Sequence, residues 1–345
     1  MVKIKTLEFI DEKLYLIDQR KLPEKVEIFL CETYKDVDFA IKDMVVRGAP
    51  AIGVSGVYGV VLGAKEFKHL DKETFLDKME VVLNILNKSR PTAVNLMWGI
   101  TKMKELIEKN KEKSTEEIYV LLKEEGDRIK EEDIDINRKM ARYGNTLVPE
   151  EAIILTHCNA GALATVDYGT ALGVIREAHY SNKNIFVYAD ETRPRLQGGK
   201  LTSWELLQEG IPSKVISDSA AATLIRDKKI DLILVGADRI ATNGDTANKI
   251  GTFMLSVVAK TYNVPFYIVA PTSTIDFNIE TGKDIVIEER NSEEITYIEG
   301  IRVMPEGVQV YNPAFDVTPE ENITAIITEK GIIRPPFKEN ILKLK

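Results

Sequence analysis

Cysteine and histidine are scarce in this chain: two cysteines, Cys31 and Cys158, and three histidines, His69, His157 and His179. They are too few and too scattered for a Cys/His zinc site. A Cys31–Cys158 disulfide is not expected in a reducing compartment. No apolar run approaches membrane-spanning length, and the N-terminus, Met1-Val2-Lys3-Ile4-Lys5-Thr6-Leu7-Glu8, lacks the apolar core of a signal peptide. A cytoplasmic location without membrane contact is expected. Excess positive charge is also lacking: the formal net charge of −8 argues against nucleic acid as the main partner. Only four glutamines stand against abundant Lys, Glu and Ile, which leans towards a heat-adapted source. No Gly-x-Gly-x-x-Gly opens the second half and no Gly-x-x-x-x-Gly-Lys-Ser/Thr occurs, so neither a nicotinamide cofactor nor a P-loop nucleotide is supported. No cofactor and no metal are expected.

What is present is a globular composition, 44% hydrophobic and 29% charged over 345 residues, long enough for two domains. Residues 1–30 alternate apolar and charged positions around Pro23, as a small antiparallel meander does. From 33 to about 142 the pattern is helical, with charge-rich stretches such as 109–132 that suit solvated helix faces. Near Pro149 the character changes. Apolar strand-like runs at 152–155, 184–189, 214–217, 231–235 and 265–270 alternate with helical patterns, which predicts repeated βα units. A further strand is expected near 308–311, and 319–328 reads as a late helix or a helix–strand return. The expected fold is α/β. Residues 1–145 are expected to form a domain of small antiparallel sheet plus helices, and 146–345 a mostly parallel, doubly wound sheet.

Reactive residue types gather after the predicted strands. Thr156-His157-Cys158-Asn159-Ala160-Gly161 follows the first, Asp190-Glu191-Thr192-Arg193-Pro194-Arg195-Leu196-Gln197-Gly198 the second, Asp218-Ser219 the third, Asp238-Arg239 the fourth and Pro271-Thr272-Ser273-Thr274 the fifth. Ligands of open α/β sheets sit beyond the carboxyl ends of the strands, so this edge is the expected site. Asp238, Arg239, Asn243, Asp245, Asn248 and Lys249 crowd together before a helical pattern at 250–262. A carboxylate just past a strand and a lysine near the next helix start suit a phosphorylated substrate, although Asp and Asn also serve as ordinary loop caps.

Two arginines precede helix-opening stretches, Arg47-Gly48-Ala49-Pro50-Ala51-Ile52-Gly53 and Arg90-Pro91-Thr92-Ala93-Val94-Asn95-Leu96. Small residues admit a ligand close to the backbone, and arginine can clamp a phosphate through two hydrogen bonds. Taken alone, each reads first as a capped helix beside a surface arginine. Cys158 ends an apolar strand, and a helix start at 159–162 would place a partial positive charge that favours a thiolate. It can also be a small buried hydrophobe. A hydrolase dyad of His157 and Cys158 is not expected, because neighbours in an extended chain point to opposite sides, and His157 reads as a packed, hydrogen-bonded histidine. A thiol and a carboxyl facing one cleft, Cys158 and Asp238, form an acid/base pair that needs no metal.

Taken together, the blocks at 47–53, 90–96, 156–165, 190–198 and 236–239 through 248–252, continued by Tyr311-Asn312-Pro313-Ala314-Phe315-Asp316-Val317-Thr318-Pro319, resemble the methylthioribose-1-phosphate isomerase family over almost the whole chain. The resemblance implies an aldose–ketose isomerase of methionine salvage acting on a small sugar phosphate, a Rossmann-like C-terminal domain, a homodimer, and no metal. It implies Cys158 and Asp238 as the catalytic pair, with Arg47, Gly48, Ala49, Arg90, Gln197, Asn248 and Lys249 binding substrate.

The same scaffold serves ribose 1,5-bisphosphate isomerases and regulatory subunits of the translation initiation factor's guanine-exchange complex. The first needs a second phosphate site, and the second has no use for the Cys158/Asp238 pair. A 5-deoxyribose 1-phosphate substrate is a further option. Met97 and Trp98, beside the Arg90 block, are candidates for an apolar substrate pocket, although core packing is the first reading of such residues.

Overall fold

The computed structural model describes residues 4–91 and 93–345. Their chain forms two compact units, one of residues 4–137 with Gly161–Gly169, the other of Arg138–Ala160 with Thr170–Lys345.

In the first unit Leu7–Ile10 (β1), Lys13–Ile17 (β2) and Ile28–Cys31 (β3) pair antiparallel, with Leu7 opposite Leu16 and Leu14 opposite Cys31. Period-two alternation sends Leu14, Leu16 and Cys31 into the core, as the sequence pattern predicts. Five helices follow: Tyr34–Lys42 (α1), Ala49–Phe67 (α2), Lys72–Asn87 (α3), Val94–Lys109 (α4) and Thr115–Asn145 (α5). Thr33 and Asp36 close a reciprocal capping box on α1, and Asp71 caps α3. The sequence of α2 is apolar all round, and the helix is buried on every side from Ala51 to Ala64. Its neighbours α1, α3 and α4 turn one apolar stripe inward, so α2 is the spine of this core.

The second unit is built on Glu151–Thr156 (β4), Ala171–Tyr180 (α6), Asn184–Asp190 (β5), Ser203–Gln208 (α7), Ser213–Ile216 (β6), Ala221–Arg226 (α8) and Leu232–Val235 (β7). Then come Arg239–Ala241 (β8), Thr246–Lys249 (β9), Thr252–Tyr262 (α9), Phe266–Val269 (β10) and Ile275–Asp276 (β11). A short helix, Glu293–Thr296 (α10), precedes a hairpin of Tyr297–Ile298 (β12) and Ile301–Arg302 (β13). Phe315–Thr318 (β14), Ala325–Thr328 (β15), Gly331–Ile333 (β16) and Phe337–Leu342 (α11) end the chain.

The main sheet runs β16-β15-β10-β7-β4-β5-β6 and is parallel except for β16. β7, β10 and β15 are buried at every residue, which explains their unbroken apolar runs. The chain fills the sheet from β4 through β5 to β6, then returns to add β7 on the other side of β4. The strand order therefore reverses between β4 and β7, the switch point of a doubly wound sheet. The α/β class, the meander and the mostly parallel sheet all match the sequence reading.

Several local expectations fail. Residues 308–311 are irregular, and the strand lies later, at β14, where it pairs with β9. At 319–328 the late-helix alternative fails and the helix–strand return holds in short form: a single 3-10 turn, Glu320–Asn322, leads into β15. The polar stretch after β7 folds as a hairpin of β8 and β9, so Asn248 and Lys249 stand on a strand of a second sheet, β11-β8-β9-β14. Its polar residues masked a strand alternation only three or four residues long. A boundary at 145 and the compact units also differ: α5 runs unbroken through 137 and 138, so no linker composition marks the division, and Gly161–Gly169 returns to the helical unit.

Candidate active site

Cys158 and Asp238 leave the carboxyl ends of the two strands that flank the switch point. Cys158 lies two residues beyond β4 and Asp238 three beyond β7, and these strands are hydrogen-bonded neighbours. Gln197 follows β5, the other neighbour of β4. Asn248 and Lys249 end β9, whose Ala247 carbonyl accepts the Asp238 amide N–H at 2.9 Å.

No helix begins at 159. After Cys158 come an irregular segment and a single turn at Ala162–Ala164, and the first helix is α6 at Ala171. The helix-end charge expected beside the thiol is therefore not formed there. Cys158 is held by the backbone instead. Its φ is 63°, its N–H donates to Thr192 Oγ1 at 2.8 Å, and its carbonyl accepts from Thr202 Oγ1 at 2.7 Å. Thr192 is itself left-handed, with φ 64°, and is fixed by Asp218, which accepts the N–H groups of Thr192 and Arg193 at 2.7 and 2.8 Å. Asn159 donates to Glu205 Oε1 at 2.8 Å, and Glu205 in turn pairs with buried Arg176.

The chain at Cys158 is thus not extended, so the argument that separated His157 from Cys158 does not apply. They are still not a dyad, because both ring nitrogens of His157 are engaged elsewhere, with Asp190 at 2.8 Å and the Ile250 carbonyl at 2.9 Å. His157, Asp190 and Asp218 lie close enough to hold an ion; the His157 ring nitrogens, Asp190 Oδ2 and both Asp218 oxygens already make hydrogen bonds, while Asp190 Oδ1 is buried with no hydrogen-bond partner.

Lys249 is buried, and its ammonium donates to the Ala314 carbonyl at 3.1 Å and sits 4.6 Å from the Phe315 ring centre. Burial lowers its pKa; Cys158 and Asp238 oppose that shift and Arg290 adds to it. The ammonium therefore stands in electrostatic reach of both the thiol of Cys158 and the carboxyl of Asp238. Asn248, also buried, donates to Thr252 Oγ1 at 3.0 Å. The Gln197 side-chain oxygen is buried with no hydrogen-bond partner. An orphan acceptor of this kind costs about 1–3 kcal/mol unless something donates to it.

Arg47, Gly48, Ala49 and Arg90 belong to the helical unit. Gly48 is the N-cap of α2 with φ 94°, and a Cβ there would lie 2.4 Å from the Ala164 Cα, so no other residue fits. Arg47 and Ala49 flank it. Arg90 and Pro91 stand before α4; Thr92 of that block lies outside the described residues. Trp98 on α4 is partly exposed and carries the Lys102 ammonium 4.5 Å from its ring centre.

Residue-by-residue reading missed Thr192, Thr202 and Asp316. The last accepts the N–H groups of Gly251 and Phe253, at 2.7 and 3.0 Å, and so fixes the start of α9. Its signal was present in the block ending at Pro319, but a partner 65 residues away is not visible in a pattern. Among the described residues no helix is long and apolar enough to cross a membrane.

These features define a Rossmann-like α/β protein whose reactive side chains gather at the switch point of its sheet. Residues 45–335 match the model of the initiation factor 2 subunit family. The chain is 72% identical, over the full length of both, to "Methylthioribose-1-phosphate isomerase" of Thermoanaerobacter sp. (strain X514). The crystal structure of 5-methylthioribose 1-phosphate isomerase from Pyrococcus horikoshii OT3 is similar with TM-score 0.94 and 46% identity, covering 99% of this chain and 95% of that one. A structure titled translation initiation factor eIF-2B, subunit delta, from A. fulgidus is similar with TM-score 0.89 and 45% identity, covering 99% of each chain. The chain belongs to the initiation factor 2 subunit family and, within it, to the methylthioribose-1-phosphate isomerase family.

Proposed function

We propose that this protein is an aldose–ketose isomerase that converts 5-methylthioribose 1-phosphate to 5-methylthioribulose 1-phosphate in methionine salvage. The observation that carries the reading is the placement of Cys158 and Asp238 on adjacent strand ends, with Lys249 in reach of both.

The phosphate on C1 locks the sugar as a ring, so the C1–O4 bond must break before the carbon skeleton can rearrange. Asp238 protonates O4 as that bond breaks. The C2 hydrogen moves to C1, the hydroxyl on C2 loses its proton as the ketone forms, and that proton restores Asp238. Cys158 acts either as the base that carries the hydrogen as a proton or as the group that stabilises charge during a hydride shift; the apolar strands around it favour the hydride. Arg47, Gly48, Ala49, Arg90, Gln197, Asn248 and Lys249 bind substrate, and the orphan oxygen of Gln197 accepts from a sugar hydroxyl. The reading includes a cytoplasmic homodimer, for which the exposed apolar residues Phe253, Met254, Val257 and Tyr262 on α9 offer a face. Light scattering at twice the chain mass checks the dimer.

The similarity to a chain titled as an initiation-factor subunit motivates a second reading, a non-catalytic regulatory protein. Incubation with 5-methylthioribose 1-phosphate, ribose 1,5-bisphosphate and 5-deoxyribose 1-phosphate, followed by a ketose assay, decides. Turnover of the first at the highest kcat/KM supports the proposal; preference for either other sugar moves the substrate, and no ketose from any favours the regulatory reading.

A further inference from the structure

His157 precedes Cys158 in the chain and is only 1% exposed. Its ring nitrogens bridge two segments: Nε2 lies 2.9 Å from the Ile250 carbonyl oxygen, and Nδ1 2.8 Å from Asp190 Oδ2. A carbonyl only accepts, so Nε2 carries a hydrogen whenever that contact holds. The contact to Asp190 then needs a second proton, on Nδ1 or on the carboxyl. With neither, two lone pairs face each other. The ring is also wedged against backbone. Gly251 has φ 105°, and a Cβ on it would come within 2.9 Å of the ring Cε1 and 3.0 Å of Nε2. The imidazole thus touches the exits of β5 and β9, the segments that carry Gln197 and Asn248–Lys249.

We infer that His157 and Asp190 form a proton-sharing positioning pair for the isomerase site, holding the Cys158 segment against the Lys249 segment. The inference rests on the isomerase reading for its kinetic consequence, not for its protonation chemistry. The groups facing the pair are acidic: Asp218 beyond β6, Glu191 beside Asp190, and Asp316 on β14. Burial opposes the imidazolium, but Asp190, the Ile250 carbonyl and Asp218 outweigh it and raise the pKa of His157. Burial also pushes Asp190 up to about 6, against the pull of His157. The single shared proton therefore persists from about pH 6 up to the raised imidazole pKa and is lost above it.

Three histidines make the test direct. In the ¹⁵N-labelled full chain, one imidazole should keep both ring nitrogens protonated at about pH 7, and its signals should vanish in His157→Gln. Kinetically, His157→Phe and Asp190→Leu should each lower kcat about 10–100-fold, the scale of a catalytic group displaced by about an ångström. Asp190→Asn can donate its amide to a neutral Nδ1, so it should restore kcat to within about threefold of wild type while removing the alkaline limb of the kcat profile. A neutral His157 ring at about pH 7 overturns the proposal. So does an unchanged kcat profile in folded His157→Phe or an alkaline limb that survives in Asp190→Asn. If no sugar phosphate is turned over, the spectra still decide the pair and only the isomerase reading fails.

Discussion

Cys158 and Thr192 hold each other in left-handed backbone: the Cys158 N–H donates to Thr192 Oγ1 at 2.8 Å, with φ of 63° and 64° at the two residues. A non-glycine residue in this region costs on the order of 1–3 kcal/mol and persists only where its surroundings enforce it. Here they do, through Thr202 on the Cys158 carbonyl and Asp218 on the Thr192 amide. Thr192→Val keeps the shape and removes the acceptor. It should lower stability by about 1–3 kcal/mol and kcat at least tenfold, while Thr192→Ser should recover most of both. Denaturant melts with steady-state kinetics check this; a valine variant with wild-type kcat shows that the bond does not serve the site.

Cys158→Ala and Asp238→Asn should each reduce turnover by about two to four orders of magnitude, the usual scale for a catalytic acid or base, with substrate affinity and fold largely kept. Calorimetric titration beside kinetics separates the two effects. Near-normal turnover in either variant removes that residue from the chemistry.

The arginines of the helical unit should act on affinity. Arg47→Lys keeps the charge but loses the two-pronged geometry, and loss of one charge-assisted hydrogen bond is worth about 1.5–3 kcal/mol. kcat/KM should fall accordingly in Arg47→Lys and in Arg90→Ala. Unchanged values mark them as capping or surface residues.

Reaction in deuterated water distinguishes the routes of hydrogen transfer. A direct hydride shift leaves C1 of the ketose unlabelled, which is the expected result; substantial C1 deuterium at early conversion assigns the transfer to a base that exchanges with solvent. Retention alone also fits a shielded thiol, so a C2-deuterated substrate followed to partial conversion completes the test.

Asp133 gives a stability prediction remote from the chemistry. Burial pushes its pKa up from 3.8 to about 7, against the Val166 N–H that it accepts at 2.9 Å, with Asp167 adding to the rise. The folded state therefore binds a proton more tightly than the unfolded chain, so this group's stabilisation is present at low pH and declines as pH rises from about 4 to 7. The residue is half-buried, so solvent screening limits the effect to about 1–2 kcal/mol. Asp133→Asn keeps an acceptor without the charge. It should raise Tm at pH 8 more than at pH 5; an equal change at both shows that the carboxyl does not titrate with folding.

The sequence by itself determined the α/β class, the antiparallel start and the βα alternation, because each is written in local periodicity: alternate burial in β2, all-round burial in α2, unbroken apolar runs in β7 and β10. It also indicated which residue types stand after each strand. Only the tertiary structure decided that β4 and β7 are neighbours, which puts Cys158 and Asp238 on the same reversal of strand order. Strand order depends on packing between segments nearly 80 residues apart, and no local pattern encodes it. The hairpin that carries Lys249 and the left-handed backbone of Cys158 were equally out of reach. Both are imposed by distant partners: Phe315 opposite Lys249 in the register of β14, and Thr192 and Thr202 around Cys158. Local preference for a helix after Cys158 lost to those long-range hydrogen bonds.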